Sequence, residues 1–286
     1  MHARRTARSS SRIAHLVSIA GLATGLAASS ARGQTLTWNN AAGGSAATAA
    51  NWSPAQVPTA TSLLVWNLNN TYTVTWNSSV IASNTHTLKK GVVTYSLSSP
   101  HTIGAGGLKV GDVSGDVATL TLTTGTLNSA GAGFVGNASG SAGTLNVNDR
   151  DAELIFTGAT GDLTVASNAP GTMNITNGGL VQVGHQFIAG NNAAGTSTIT
   201  VNGATNSFPF ARSRLIVNGA GTASRLGQGG DATVNITNGA LAQFANDLVI
   251  ANGSASTSSV TVAGQGGIIP TNAHLDVAGD LLVGRN

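Results

Sequence analysis

Apolar residues recur two apart along much of this chain, each pair straddling a threonine or an asparagine. Leu120/Leu122, Leu145/Val147, Met173/Ile175, Ile199/Val201, Val234/Ile236 and Val260/Val262 are such pairs, with Thr121, Asn146, Asn174, Thr200, Asn235 and Thr261 between their members. A period of two puts each pair on one face of a β-strand and the Thr or Asn on the other. Thr71-Tyr72-Thr73-Val74-Thr75-Trp76 alternates likewise and predicts a half-buried strand. Asn-Gly at 177–178, 202–203, 218–219, 238–239 and 252–253 predicts corners with positive φ.

The pattern repeats. Thr172 to Gly203 superimposes on Thr233 to Gly264 at a constant offset of 61, and after a one-residue slip Leu215-Ile216-Val217 matches Leu275-Asp276-Val277. A shorter interval lies inside: Ile175 to Ile199 and Ile236 to Val260 are 24 residues each, Leu122 to Val147 is 25 and Val147 to Ile175 is 28. Repeats of this length signal a solenoid. One coil cannot bury its inward face alone, whereas stacked coils share an apolar column. The expected fold is all-β, a right-handed parallel β-helix. Two-residue Asn-Gly links could also make hairpins in a β-sandwich, but a sandwich has no reason to recur at these intervals.

All four tryptophans, Trp38, Trp52, Trp66 and Trp76, and both tyrosines, Tyr72 and Tyr95, precede residue 100; beyond it the only aromatics are six Phe. This contrast predicts a Trp-rich N-terminal β cap over 34–105 and β-helix repeats over 106–286, about seven coils. The tryptophans are expected to form a hydrophobic lid; the alternative is a sugar-stacking face. Residues 204–217 exceed the short unit and predict an extra coil or a loop thrown out from the rod. Leu281-Leu282-Val283-Gly284 resembles Leu108-Lys109-Val110-Gly111, the opening of a coil, so the expectation is that the natural product is longer or that the gene is broken here.

Composition narrows the class. Apolar residues make up 41% of the 286 and charged residues 8%, which excludes a disordered polyelectrolyte. Glycine numbers 38 without a three-residue period, so collagen is excluded. Arg4, Arg5, Arg8, Arg12 and Arg32 supply the positive balance; without them eight basic residues face ten acidic ones, which gives no ground for a nucleic-acid partner. Those arginines flank an apolar run from Ile13 to Ala28, and Ala31-Arg32-Gly33 fits a small-x-small cleavage site before Gln34. A signal peptide over 1–33 is therefore expected, with a secreted or outer-surface protein and no transmembrane helix in the mature chain. The absence of cysteine excludes disulfides and thiolate sites.

Gly143-Thr144-Leu145-Asn146-Val147, Gly171-Thr172-Met173-Asn174-Ile175-Thr176-Asn177-Gly178-Gly179 and Leu108-Lys109-Val110-Gly111 resemble the repeats of bacterial autotransporter-type, PEP-CTERM-associated surface proteins. Leu36-Thr37-Trp38-Asn39, Ala50-Asn51-Trp52-Ser53-Pro54 and Val57-Pro58 resemble their N-terminal module. The resemblance spans about 34–286 and implies a β-helix and an extracellular address. The C-terminal membrane barrel or sorting helix of that family is absent from this sequence.

Parallel β-helices also carry polysaccharide lyases and hydrolases, which need clustered acids with Lys or Arg from neighbouring coils. The densest acidic group, Asp149-Arg150-Asp151-Ala152-Glu153, could hold a cation or a carboxylate pair, but reads first as a solvated turn between strands. Asp112 and Asp116 flank Gly115 in a loop, and Gly227-Gln228-Gly229-Gly230-Asp231 is a single faint match to a calcium-binding repeat. His86, His101, His185 and His274 lie far apart with no metal-ligand spacing. No Gly-x-Ser-x-Gly elbow precedes a helix. No catalytic, cofactor-binding or metal-ligating residue is therefore assigned. The expected role is an exported, non-enzymatic structural or adhesin-like surface protein whose Thr/Asn faces contact glycans or neighbouring surface proteins. The alternative is a polysaccharide-binding or polysaccharide-degrading β-helix.

Overall fold

The computed structural model describes residues 33–158, 160–203, 211–219, 221–253, 256–266 and 271–284. The signal peptide expected over 1–33 lies outside them apart from Gly33, as do Phe208, Pro209 and Phe210. Strands dominate, and one large sheet winds through Gly33–Asn286, a single compact unit. Among the described residues nearly every pairing is parallel; only Thr35–Trp38 with Trp52–Ser53 and Gln265–Gly266 with Thr271–Asn272 are antiparallel. This is a parallel β-helix, and the hairpin alternative is excluded.

Each coil has three faces. The first stacks Thr71–Trp76, Lys90–Leu97, the front of Val117–Ser129, Ala142–Asn148, Gly171–Thr176, Thr196–Asn202, Asp231–Thr237 and Ser258–Ala263. The second runs from the tail of Val117–Ser129 through Ala152–Phe156, Leu180–Val183, Arg214–Val217 and Leu241–Phe244 to His274–Val277. The third begins at Thr35–Trp38 and Leu63–Trp66 and ends at Leu281–Val283. Among the described residues six coils begin after residue 106, at 117, 142, 171, 196, 231 and 258.

The alternating pairs stand in register. Leu120, Leu145, Met173, Ile199, Val234 and Val260 form one column, and Leu122, Val147, Ile175, Val201, Ile236 and Val262 the next. All are buried except Val260 and Val262 in the last described coil, which no further described strand covers. The interval of 24 joins different members of a pair: Ile175 stacks on Val201, and Ile199 on Met173. The offset of 61 is two coils, one of 26 residues (Thr172 to Thr198) and one of 35 (Thr198 to Thr233). The longer coil carries the insertion. It adds no coil, because Arg214–Val217 takes its place on the second face between Leu180–Val183 and Leu241–Phe244.

A boundary between residues 105 and 106 has no counterpart in the ladders. Strand His101–Val110 crosses it, pairing with Ala82–Leu88 on one side and with Gly133–Val135 on the other. The Trp-rich segment is thus the first coils of the same solenoid. Trp38, Trp52, Trp66 and Trp76 fill its axis alongside Leu36, Leu64, Val74 and Leu88, and all four are fully buried, which excludes a sugar-stacking face. Trp38 meets Trp52 edge-on at 5.0 Å between ring centroids, a favoured aromatic arrangement.

The corners are less uniform than the Asn-Gly pattern predicts. Asn177 and Gly178, and Asn238 and Gly239, have positive φ, as does Gly203. Gly219 and Gly253 do not. A Cβ on either would collide with a backbone carbonyl of the coil below, that of His185 or Gln228, so there glycine serves close approach. Another positive-φ corner recurs just after the third face. Glycine occupies it in most coils, but Ala166 (φ 62°) and Ala251 (φ 54°) hold it in two. Its N–H extends the ladder, as from Ala166 to the Val135 carbonyl and from Ala251 to that of Leu226.

Candidate functional site

Two histidines far apart in sequence meet inside the first coils. Ser83 Oγ lies 2.7 Å from His86 Nε2 and 2.9 Å from His101 Nε2, Tyr95 OH lies 3.1 Å from His86 Nδ1, and His101 Nδ1 lies 3.0 Å from the Val80 carbonyl oxygen. A carbonyl only accepts, so His101 Nδ1 carries the proton and its Nε2 accepts from the Ser83 hydroxyl. Ser83 Oγ must then accept from His86 Nε2–H, and His86 Nδ1 from the Tyr95 hydroxyl. One chain of four bonds satisfies every member with both imidazoles neutral. Burial, then the neighbouring His101, holds the pKa of His86 well below the ordinary value. Burial also lowers that of His101 to about 4, against the opposing bond to Val80. All four side chains are buried, so this centre organises the core and meets no substrate.

The acidic candidates serve local structure. Asp149, Arg150 and Asp151 form the turn between Ala142–Asn148 and Ala152–Phe156, with Asp149 Oδ1 accepting from the Asp151 N–H at 3.1 Å and Arg150 paired with Asp151 at 3.6 Å. Glu153 projects from the second face and accepts from Thr126 Oγ1 at 2.9 Å. Asp116 accepts from the Val113 N–H within its own loop, while Asp112 takes Lys109 and Asn137. Asp231 accepts from both the N–H and the hydroxyl of Thr257, which lowers its pKa. No group of three His, Asp or Glu placed to hold a metal ion occurs among the described residues.

One constellation escapes sequence reading. Asp162, His185 and Thr222 come from three successive coils and meet at the corner leading into the third face. His185 Nδ1 donates to Asp162 Oδ1 at 2.5 Å, and His185 Nε2 faces Thr222 Oγ1 at 3.3 Å. The Gln186 N–H also donates to Asp162 Oδ1, at 3.0 Å. The imidazole is partly exposed. A carboxylate orienting a histidine whose other nitrogen faces a hydroxyl is the order of groups that activates a nucleophile. The separations of 23 and 37 residues match no local motif, so only the coil lengths reveal the meeting. His274 lies exposed on the last described second-face strand.

The outer surface of the first face is the largest regular feature. Its two central outward columns carry Thr, Ser, Asn and a single Val over eight coils, and no charged residue. Lys90 opens a first-face strand just outside these columns, while Lys89 and Lys109 lie beside a groove of about 340 Å³ that Asp112 also lines. Among the described residues no helix is long and apolar enough to cross a membrane. Comparison with known proteins finds no match to any family model, any curated protein or any solved structure.

Proposed function

We propose that this chain is an exported, non-enzymatic β-helical protein of the cell surface or extracellular space, with a structural or adhesin-like role. The observation that carries this reading is the pair of central outward columns on the first face, uncharged and repeated coil after coil, while the acidic groups are spent on turns and local bonds. Such a surface gives many weak, equivalent contacts that sum along the rod. The basic and apolar leader over 1–33 supports export. The test is protease shaving and antibody labelling of intact producing cells, with N-terminal sequencing of the exported material. Surface-accessible protein beginning near Gln34 is expected; protein confined to the cytoplasm with Met1 retained overturns the reading.

A second reading, a polysaccharide-active enzyme, has one observation in its favour, the Asp162–His185–Thr222 arrangement. Release of soluble sugar from a polysaccharide, abolished by His185→Ala, would install it in place of the first.

A further inference from the structure

One column of outward side chains on the first face holds Thr119, Thr144, Thr172, Thr198 and Thr233 in five successive coils, followed by Ser259; the column just before it in the strands holds Lys90, Val117, Ala142, Thr196 and Asp231. The ladder spaces them at ~4.8 Å along the rod. Among the described residues none of the five threonine hydroxyls has a hydrogen-bond partner, whereas the next column is partly tied to itself, Asn146 donating to Thr121 at 3.2 Å and Asn174 to Asn146 at 2.9 Å. Threonine is stiff at χ1, so these hydroxyls are ordered before any ligand arrives and lose little freedom on binding. Both columns lack charge, and both offer donors and acceptors together.

We propose that this face binds an extended neutral polysaccharide lying along the rod, one sugar residue to roughly one coil. The proposal rests on the reading of the chain as a non-enzymatic contact surface, and it names the partner. Neutral sugars present hydroxyls that both donate and accept, as the columns require, and a β-linked hexose is close in length to the strand spacing. Within these columns an acidic polymer would find no counter-charge; Lys90 lies beside them at one end, near Val92 and Thr119. Without an outward aromatic in these columns, hydrogen bonding carries recognition. Each coil then contributes little, and affinity grows with the number of coils engaged.

The test uses the purified protein on three insoluble probes: microcrystalline cellulose, β-1,3-glucan, and calcium alginate as an acidic control. The triple variant T172V/T198V/T233V removes three hydroxyls while keeping side-chain shape and strand preference; valine already stands in this column, at Val92. A triple Thr→Ser variant at the same positions keeps the hydroxyls. Expected is retention on a neutral glucan that changes little with salt, falls at least about tenfold in the valine variant and persists in the serine variant. Unchanged melting of the valine variant ensures that the loss is one of binding. No retention on either neutral glucan, retention on alginate alone, or equal retention by the valine variant overturns the proposal. Because isolated polysaccharide reports nothing about cellular location, failure here leaves the surface-labelling result standing by itself.

Discussion

His86 and His101 share the hydroxyl of Ser83, one imidazole donating to it and the other accepting from it. The arrangement admits only neutral rings, since a proton added to either reverses a bond in a chain with no spare acceptor. Unfolded, each histidine takes up a proton near 6.5; folded, His101 does so only near 4. Between these values the unfolded state holds more protons, so stability is complete above about pH 6.5 and falls as the pH drops towards 4. For His101 alone the loss approaches about 3 kcal/mol. Urea unfolding across this range should show the decline, and His101→Phe should reduce the slope without abolishing it, because burial still holds the pKa of His86 low. A flat wild-type profile contradicts the neutral chain.

Ile236 is fully buried, whereas Asn235 beside it faces outward. Ile236→Asp places an unpaired carboxylate on the coil axis and should cost about 3–5 kcal/mol. Asn235→Asp should cost under about 1 kcal/mol. Comparable losses in thermal melts of the two variants would refute the register of the first face.

Tyr72 is stacked on Trp38, and its buried hydroxyl has no hydrogen-bond partner among the described residues. Leaving such a group unpaired costs about 1–3 kcal/mol. Tyr72→Phe keeps the ring and removes the burden, so chemical denaturation should show stability unchanged or raised by up to about 2 kcal/mol. A clear destabilisation would mean that the hydroxyl is bonded.

The corner after the third face tolerates alanine in two coils but not in all. A Cβ at Gly136 would run into the Pro170 carbonyl oxygen, whereas Ala166 occupies the equivalent corner one coil on. Gly136→Ala should therefore cost about 1–3 kcal/mol, and Ala166→Gly should be nearly neutral, because relief of positive φ offsets the added chain entropy. Equal effects in a paired melting experiment would show that the backbone, and not the neighbouring coil, sets the demand.

The sequence by itself determined which side of each strand faces in, because alternation is local: Leu145 and Val147 point inward whatever lies above them. It also marked the Asn177-Gly178 and Asn238-Gly239 corners, because both residue types tolerate positive φ, although the same dipeptide at 218–219 and 252–253 does not use it at glycine. Register was beyond it. A pattern of period two looks the same after a shift of two, so Ile175 could be matched to Ile199 when its true neighbour is Val201. Only the packing of one coil on the next, over intervals from 21 residues (Thr71 to Val92) to 35 (Thr198 to Thr233), removes that ambiguity. The same intervals decide every meeting between coils. They bring Asp162, His185 and Thr222 to one corner, join His86 to His101, and carry the tryptophans into the solenoid axis where composition suggests a separate cap. Side-chain chemistry fixes how each strand lies; coil lengths, summed through the fold, fix which side chains meet.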